Sequence, residues 1–361
     1  MTLPDISNYR LISQKIASAD FTSAKEIVGW MGAMQAQDFN MAKWAVGVRL
    51  PGSTDQIIQS AIDNGQIIRT HLLRPTWHLV SPDDIYWMLE LTAPQIKTAL
   101  KARDKVLEID QRIYSKSNDV IGNVLSGGNH LTRAELVDNL ERAGIATDIY
   151  RISHFLLRAE IDGISCSGKT TTGKQTYALL AERVPETKKI NLDEALARLA
   201  RRYFTSHSPA TLQDFTWWSG LPVTKSRHAL EMVKSDFVAE PIGGQTFWLT
   251  NSFSVPKPAV GVVHLLPAFD EFIISYKERT VSLAHENHTK AVSSNGIFRP
   301  VVIINGQVAG LWKRTTKNKK VVVNTELFQP VDKEHAGLIV KAFNRFGIFV
   351  NKKIEIASDL K

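Results

Sequence analysis

The chain has 361 residues, of which 43% are hydrophobic and 22% charged, a composition that excludes a disordered protein. Lysine and arginine outnumber aspartate and glutamate by 44 to 36, and the net charge of +8 favours a polyanionic partner such as nucleic acid. The single cysteine, Cys166, excludes an intramolecular disulfide and is typical of a reducing compartment. The N-terminus lacks the features of a signal peptide and no apolar run is long enough to span a bilayer, so we expect a cytoplasmic protein.

A loose unit recurs three times along the chain: helices separated by a turn, then two strands joined by a tight turn. In the clearest copy, Thr132 and Glu135 have the spacing of a capping box, and Gly144 ends the helix that they begin. A second helix over residues 148–163 and a hairpin with the exposed tip KTTTGKQ follow. Helix, turn, helix and hairpin in this order indicate a winged helix, a form of the helix-turn-helix.

The other two copies are predicted around this one. Residues 191–250 contain three helices and a hairpin that turns at Gly243-Gly244, with a recognition helix over residues 223–234. The first copy has helices over residues 22–35, 41–50 and 54–65, two strands around Arg74-Pro75 and a pair of helices over residues 81–107.

The chain becomes rich in strands after residue 255, with a hairpin at Asn305-Gly306, a helix over residues 333–347 and a last strand over residues 348–357. We therefore predict an α+β fold of three tandem winged-helix units and a barrel-like, β-rich C-terminal module. Their predicted ranges are 1–110, 111–187, 188–254 and 255–361.

Two glutamines, Gln35 and Gln37, lie one residue apart in the apolar segment MQAQDF, and Asp38 follows them directly. On an α-helix, residues i and i+2 point roughly 200° apart. In an extended chain they share a face, where two amides can hold and orient one water molecule. The alternative is a pair of amides that bond free carbonyls at a helix C-terminus, and spacing alone favours it.

The segment MQAQDF is followed by LLRPTWHLV, LLPAFDEFIISYKER and FRPVVIINGQVAGLWKR, and in this order they resemble the winged-helix DNA glycosylases of the AlkZ and YcaQ type. The resemblance implies tandem winged helices around a basic channel for duplex DNA. It also implies excision of N7- or N3-alkylated purines, including bulky adducts and interstrand cross-links. The glutamine pair of the family's motif carries over to Gln35 and Gln37, which would place the attacking water.

Weak groups suffice for this chemistry because an N7-alkylated purine carries a positive charge and its glycosidic bond is already labile. The protein need only stabilise an oxocarbenium-like transition state and direct a water to C1′. Thr76 and His78 share a face of a predicted strand, and the resemblance places them near the water. The alternative for both is a purely structural strand.

Basic residues on predicted hairpins and helices are candidates for contact with DNA phosphates. The strongest group lies in the segment KRTTKNKK, a predicted hairpin tip, and comprises Lys313, Arg314, Lys317, Lys319 and Lys320. Weaker candidates are Arg69, Arg74, Lys169, Lys174, Lys225 and Arg227. The alternative for all of them is an ordinary solvated charge.

Metal and cofactor binding are not expected. His285 and His288 are three residues apart but lack a third ligand, and no nucleotide-binding or serine-hydrolase motif is present. Asp270 and Glu271 either support the active site or begin a helix, and we assign them no catalytic function. We expect a monomeric, monofunctional DNA glycosylase that acts on double-stranded DNA. The alternatives are a non-catalytic winged-helix DNA-binding protein, such as a transcriptional regulator, and an RNA-binding protein.

Overall fold

The computed structural model describes residues 2–18, 20–251 and 262–357. Its first part is a helix followed by a group in the order helix, short strand, helix, helix, strand, strand. The elements are α1 (Leu3–Ser13), α2 (Ala24–Met31), β1 (Ala33–Gln35), α3 (Phe39–Arg49), α4 (Asp55–Asp63), β2 (Ile68–Leu72) and β3 (Thr76–Val80). The strands form an antiparallel sheet in the order β1-β3-β2, so the short strand β1 is an edge strand.

One long helix, α5 (Ile85–Val106), replaces the pair of helices predicted for residues 81–107, and Pro94 lies inside it. Proline removes one helical hydrogen bond, but the residues before Pro94 are largely buried, and their packing keeps the helix continuous. Neither α5 nor any other described helix combines the length and hydropathy that crossing a bilayer requires.

The second group repeats the element order of the first. Its elements are α6 (Gln111–Leu125), β4 (Leu131–Thr132), α7 (Arg133–Arg142), α8 (Ile149–Ile161), β5 (Ser165–Ser167), β6 (Thr176–Leu179) and a final turn, α9 (Leu180–Arg183). The strand order β4-β6-β5 matches that of the first sheet. The predicted capping box at Thr132 and Glu135 is confirmed, with the carboxylate 2.7 Å from the Thr132 N–H.

The third group has the same order, with its first strand reduced to one bridge between Ala210 and Trp248. Its elements are α10 (Leu192–Ser206), α11 (Leu212–Ser219), α12 (Val223–Val233), β7 (Phe237–Ile242) and β8 (Gln245–Thr250). The predicted turn at Gly243-Gly244 is confirmed, and both residues have the positive φ that a two-residue hairpin loop requires.

The C-terminal part is a curled half-barrel of five strands in the order β13-β12-β11-β10-β9. Asn305 and Gly306 form the predicted hairpin turn with φ of 50° and 80°. The predicted last strand begins only at Lys353, because the preceding helix continues to Val350. The predicted boundary at residues 254 and 255 lies outside the described residues. The elements are β9 (Val263–Leu266), α13 (Glu271–Ile274), α14 (His288–Ala291), β10 (Val301–Ile304), β11 (Gln307–Thr316), β12 (Lys320–Leu327), α15 (Lys333–Val350) and β13 (Lys353–Ile356).

The largest hydrophobic core is shared by the first group and the C-terminal half-barrel. Trp44 of α3 packs against the rings of Phe346 and Phe349 of α15, with centroid distances of 5.2 and 4.9 Å. Its indole N–H also donates to the Leu265 carbonyl of β9 at 2.8 Å. The N- and C-terminal parts of the chain are therefore one packed body, whereas the second group has a core of its own.

A buried ion pair joins the first group to the C-terminal part. The guanidinium of Arg49, at the end of α3, donates to both carboxylate oxygens of Asp270 at 2.8 and 2.9 Å, and neither residue is more than 2% exposed. Arg49 also donates to the Gln14 backbone carbonyl, so the charge has several acceptors. Such a pair holds two elements in one geometry, because separating them would leave a charge unpaired and buried.

Replacing Asp270 with asparagine is expected to lower the free energy of unfolding by about 3–5 kcal/mol, since the Arg49 charge then stays buried without its counter-charge. Urea denaturation measures the change. The matched control is Glu231→Gln, which breaks an exposed pair with Lys234 and should cost at most about 1 kcal/mol. Equal effects of the two substitutions would contradict a structural role for the buried pair.

Candidate active site

The two glutamines lie between two helices, with Gln35 in a short strand and Gln37 in the bend that follows it. Helix α2 ends at Met31 because Gly32 has a positive φ of 80°, which a right-handed helix cannot continue and which glycine adopts without strain. Gln35 is the last residue of β1, and Asp38 caps α3 by accepting the Met41 N–H at 3.0 Å. Both glutamines therefore lie past the end of α2, so the predicted helix over residues 22–35 is too long and the helix-end alternative does not hold. Gln35 is 5% exposed, whereas Gln37 is exposed.

Gln35 lies directly opposite His78 in the β1–β3 ladder. Directly opposite residues in an antiparallel ladder have Cβ atoms about 5 Å apart, so the two side chains are neighbours on one face. Thr70 of β2 is opposite His78 on its other side, and Thr76 lies two residues before His78 on the same face. The hydroxyls of Thr70 and Thr76 are buried, with no hydrogen-bond partner within the described residues.

His78 is a neutral ring. Its Nδ1 lies 2.9 Å from the Thr76 carbonyl, and because a carbonyl only accepts, Nδ1 carries the proton. Burial and the nearby charge of Arg74 lower the pKa of His78 to about 4. The other nitrogen, Nε2, is consequently an acceptor on the face that Gln35 shares.

Glu271, at the start of α13, binds the free edge of β1. Its Oε1 accepts the backbone N–H of Gln35 at 2.5 Å, and its Oε2 accepts the indole N–H of Trp218 at 3.3 Å and the hydroxyl of Ser275. An edge strand has unpaired N–H groups, and a buried one needs an acceptor. Burial alone would raise the pKa of Glu271, but the His207 ring, the Ser275 hydroxyl and the Gln35 N–H together lower it to about 2.

The acidic pair of the AFDEF segment begins a helix and also bonds to the backbone of the candidate site. Asp270 begins α13 by accepting the Phe272 N–H at 2.9 Å, and it also pairs with Arg49. Glu271 supports the backbone at Gln35. The sequence alone does not assign either residue to the site. The feature that could have indicated a buried role is the presence of two adjacent acids between Phe269 and Phe272.

Arg69 and Arg74 are not solvated hairpin charges. Arg69 is 8% exposed, its Nε donates to the Ala36 carbonyl at 3.1 Å, and its Nη1 donates to Gln175 of the second group at 2.8 Å. Arg74 is half-buried beside Trp217, with 5.3 Å between its Cζ and the ring centroid. Arg69 therefore supports the residue between the two glutamines, and Arg74 lines an open cleft.

The remaining predicted DNA contacts differ in their exposure. The exposed ones are Lys169, Lys174, Arg227, Lys313, Lys317 and Lys319. The half-buried ones are Lys225, Arg314 and Lys320. Arg314 lies against Met41 of α3 and near the ring of Phe346, so it packs the half-barrel against the first group, whereas Lys320 forms an exposed pair with Glu355.

Acid is expected to destabilise the fold through buried histidines. Burial lowers the pKa of His78 and of His264 to about 4, well below the value of 6.5 in an unfolded chain. The unfolded chain thus binds more protons between pH 6.5 and 4, and stability falls as the pH decreases through that window. Each ring should cost on the order of 2 kcal/mol by pH 4.5.

Urea denaturation at pH 7.5 and pH 4.5 measures this loss. The variant His264→Gln lacks one of these two rings and should lose clearly less stability between the two pH values. The same free energy of unfolding at both pH values in the unsubstituted protein would contradict the prediction.

Comparison with known proteins places the chain among the DNA glycosylases. A family model described as DNA glycosylase AlkZ-like matches residues 28–349, so the chain belongs to the AlkZ-like family, and the resemblance of its four segments is confirmed. The Streptomyces sahachiroi protein named interstrand DNA cross-link repair glycosylase is 24% identical over 326 residues, which are 84% of this chain and 86% of that protein. The solved structure of Streptomyces sahachiroi DNA glycosylase AlkZ has a TM-score of 0.80 at 19% identity, covering 99% of this chain and 100% of that one. The two proteins share their fold.

Proposed function

We propose that the protein is a monofunctional DNA glycosylase that removes N7- or N3-alkylated purines, including purines joined in interstrand cross-links. The observation that carries this proposal is the position of Gln35, which lies opposite His78 and is bonded through its backbone to Glu271, two residues before the exposed Gln37 in an AlkZ-like fold. The name of the Streptomyces sahachiroi relative supports cross-links as a substrate.

The three groups of shared element order are, in this proposal, winged-helix units within residues 1–110, 111–187 and 188–254, and the half-barrel is the module of residues 255–361. Support comes from the repeated order helix, strand, helix, helix, strand, strand and from the matching strand orders of the first two sheets. Two hairpin tips carry exposed lysines that are suited to contact the phosphate backbone. They are Lys169 and Lys174 between β5 and β6, and Lys317 and Lys319 between β11 and β12.

In the proposed mechanism, Gln35 and Gln37 are the catalytic residues and hold one water molecule directed at C1′ of the damaged nucleotide. The water oxygen bonds to C1′ while the C1′–N9 bond breaks. The electron pair of that bond leaves with the alkylated purine and neutralises its positive charge, and the water's proton passes to solvent. Correct positioning supplies several kcal/mol of a barrier that the charged leaving group has already lowered.

The environment of the glutamines supports this assignment. Glu271 and Arg69 fix the backbone on both sides of Ala36, so the amides are attached to a rigid segment. The unpaired hydroxyls of Thr70 and Thr76 lie on the face that Gln35 shares, and buried polar groups without protein partners are sites where water or substrate binds. Gln37 is exposed and is therefore accessible to a bound duplex.

A monofunctional enzyme is supported by the state of Lys43, the lysine of α3. A glycosylase that also cleaves the strand needs a free amine to attack C1′ and form a Schiff base. The Lys43 ammonium is 2.8 Å from the Asp55 carboxylate and 3.2 Å from the Gln59 amide oxygen, so it is held as a paired cation.

The test is release of base from a duplex carrying one N7-methylguanine, with a matched undamaged duplex as control. We expect an alkali-labile abasic site at the modified position and no borohydride-trapped protein–DNA adduct. Affinity should fall with salt by a slope of roughly 0.9 for each neutralised phosphate. Sequence-selective binding without base release would support the non-catalytic DNA-binding alternative, and a trapped adduct would contradict the monofunctional assignment.

A further inference from the structure

A cleft of about 640 Å³ lies between the third group and the β2–β3 turn. Trp217 of α11 lines it together with Arg74 of the turn, Arg227 of α12 and Lys277 of the segment after α13. Its volume falls within the roughly 300–1,000 Å³ that is usual for sites of small ligands and cofactors. The described residues that line this cleft include three cations and no carboxylate. These properties suit a ligand that carries both a planar group and a negative charge.

The indole of Trp217 is surrounded by positive charge. The Lys277 Nζ is 4.9 Å from the ring centroid, and the Cζ atoms of Arg74 and Arg279 are each 5.3 Å from it. Like charges around one ring repel each other, and a bound anion would relieve that repulsion. In the described part of the chain, no carboxylate lies within ion-pair distance of Arg74, Arg227 or Lys277, and the buried Nε of Arg74 has no hydrogen-bond partner.

A second cleft, of about 450 Å³, is also lined by a tryptophan and several cations, but its cations are already paired with carboxylates. It is lined by Trp30 and three arginines, and each guanidinium already pairs with a carboxylate. The pairs are Arg198 with Glu194 at 3.1 Å, Arg201 with Asp236 at 2.8 Å and Arg202 with Asp84 at 3.1 Å. The cations of the Trp217 cleft are therefore distinguished by their free charge rather than by their number.

The Trp217 cleft is built on the same elements as the active site. The Trp217 indole N–H donates to the Ile274 carbonyl of α13 at 2.8 Å, while the indole of its neighbour Trp218 donates to Glu271. The turn after α11 packs closely against the β2–β3 turn. A Cβ atom added to Gly220 would lie only 2.8 Å from the Leu73 carbonyl oxygen. A ligand in the cleft would thus lie beside α13, which carries Glu271, and beside the turn that leads into the strand of His78.

We propose that this cleft is a nucleotide subsite, which takes an unstacked nucleotide of the substrate DNA with its base on Trp217 and its phosphate at Arg74, Arg227 and Lys277. The inference rests on the proposed function, since it assigns a DNA ligand. Stacking on an aromatic side chain with cations at the backbone is how proteins hold single-stranded nucleotides without regard to sequence. A cross-linked or bulky lesion displaces nucleotides from the stack, and the subsite would bind one of them.

The test compares the affinity of the full-length protein for a paired duplex and for the same duplex with one extra, unpaired nucleotide. We expect about tenfold tighter binding of the bulged duplex, the magnitude that stacking of one base on an aromatic ring contributes. Trp217→Leu should abolish this preference without changing the affinity for the paired duplex. Trp30→Leu is the matched control, because Trp30 also donates its indole N–H to a backbone carbonyl, and it should keep the preference.

Arg227→Ala is the second variant, since this side chain is exposed and its loss cannot disturb the core. It should weaken binding of the bulged duplex several-fold and reduce the salt slope for that duplex by about one. Equal affinity of the unsubstituted protein for the two duplexes, or an unchanged preference in both variants, overturns the subsite. Release of N7-methylguanine is measured in parallel, so a Trp217-dependent preference without base release would refute the glycosylase proposal and leave the subsite standing.

Discussion

Replacing Gln35 and Gln37 together with alanine should lower the rate of base release by at least about 100-fold, the effect of removing a positioned polar group from a transition state. Affinity for the intact duplex should change by less than about threefold, because phosphate contacts from other residues supply most of the binding energy. Single-turnover release from an N7-methylguanine duplex and titration of the undamaged duplex measure the two effects.

The matched control is Gln66→Ala with Gln245→Ala, which removes two exposed amides that lie outside the candidate site. It should release base at the rate of the unsubstituted protein. The two single variants measure the contribution of each glutamine to the rate. They are needed because Gln35 is buried in the sheet whereas Gln37 is exposed. If the double variant retained the full rate, these amides would not hold the attacking water.

Replacing Glu271 with glutamine should lower both stability and the rate of release. The carboxylate accepts hydrogen bonds from the Gln35 N–H, the Trp218 indole and the Ser275 hydroxyl, and an amide would turn its NH₂ group toward one of these donors. Leaving buried donors unsatisfied should cost about 2–4 kcal/mol of unfolding free energy. Because the backbone at Gln35 loses its anchor, release should slow by roughly tenfold or more with duplex affinity unchanged.

In the proposed mechanism Glu271 acts through Gln35 as a positioning residue, so its test must separate an effect on position from an effect on stability. Ser275→Ala is the control, since it removes one donor to the same carboxylate but leaves the contact with the Gln35 N–H intact. This variant should lose stability and still release base at nearly the normal rate when assayed well below its unfolding temperature. Equal loss of rate in both variants would show that Glu271 acts only through general stability.

Local signals predicted much of the fold. The capping box at Thr132 and Glu135 and the turns at Gly243-Gly244 and Asn305-Gly306 depend on residues within a few positions of each other, and all are confirmed. The sequence pattern predicts a helix that continues to Gln35, whereas α2 ends at Met31. At Gly32 a Cβ would lie 2.9 Å from the Cγ of Arg202, a contact with the third group that no local pattern reveals.

The candidate site was predicted less completely than the fold. The glutamines, Thr76 and His78 stood out because their spacing suits an extended chain. The support from Glu271 was not visible, because its contact with Gln35 joins residues 236 positions apart. The burial of Arg69 was also hidden, since a charge in a hairpin has the same sequence pattern whether it is solvated or buried. Periodicity predicts which face is apolar but not which distant element covers it.

The position of Arg69 has a consequence for how the molecule can move. A single guanidinium bonds both the Ala36 carbonyl, between the two amides, and Gln175 on the lysine-bearing hairpin of the second group. That hairpin cannot shift relative to the first sheet without stretching one of these bonds. In the proposed function, contact of this hairpin with a double helix and alignment of the two amides are therefore coupled, so we expect a duplex that does not contact the hairpin to leave the amides misaligned.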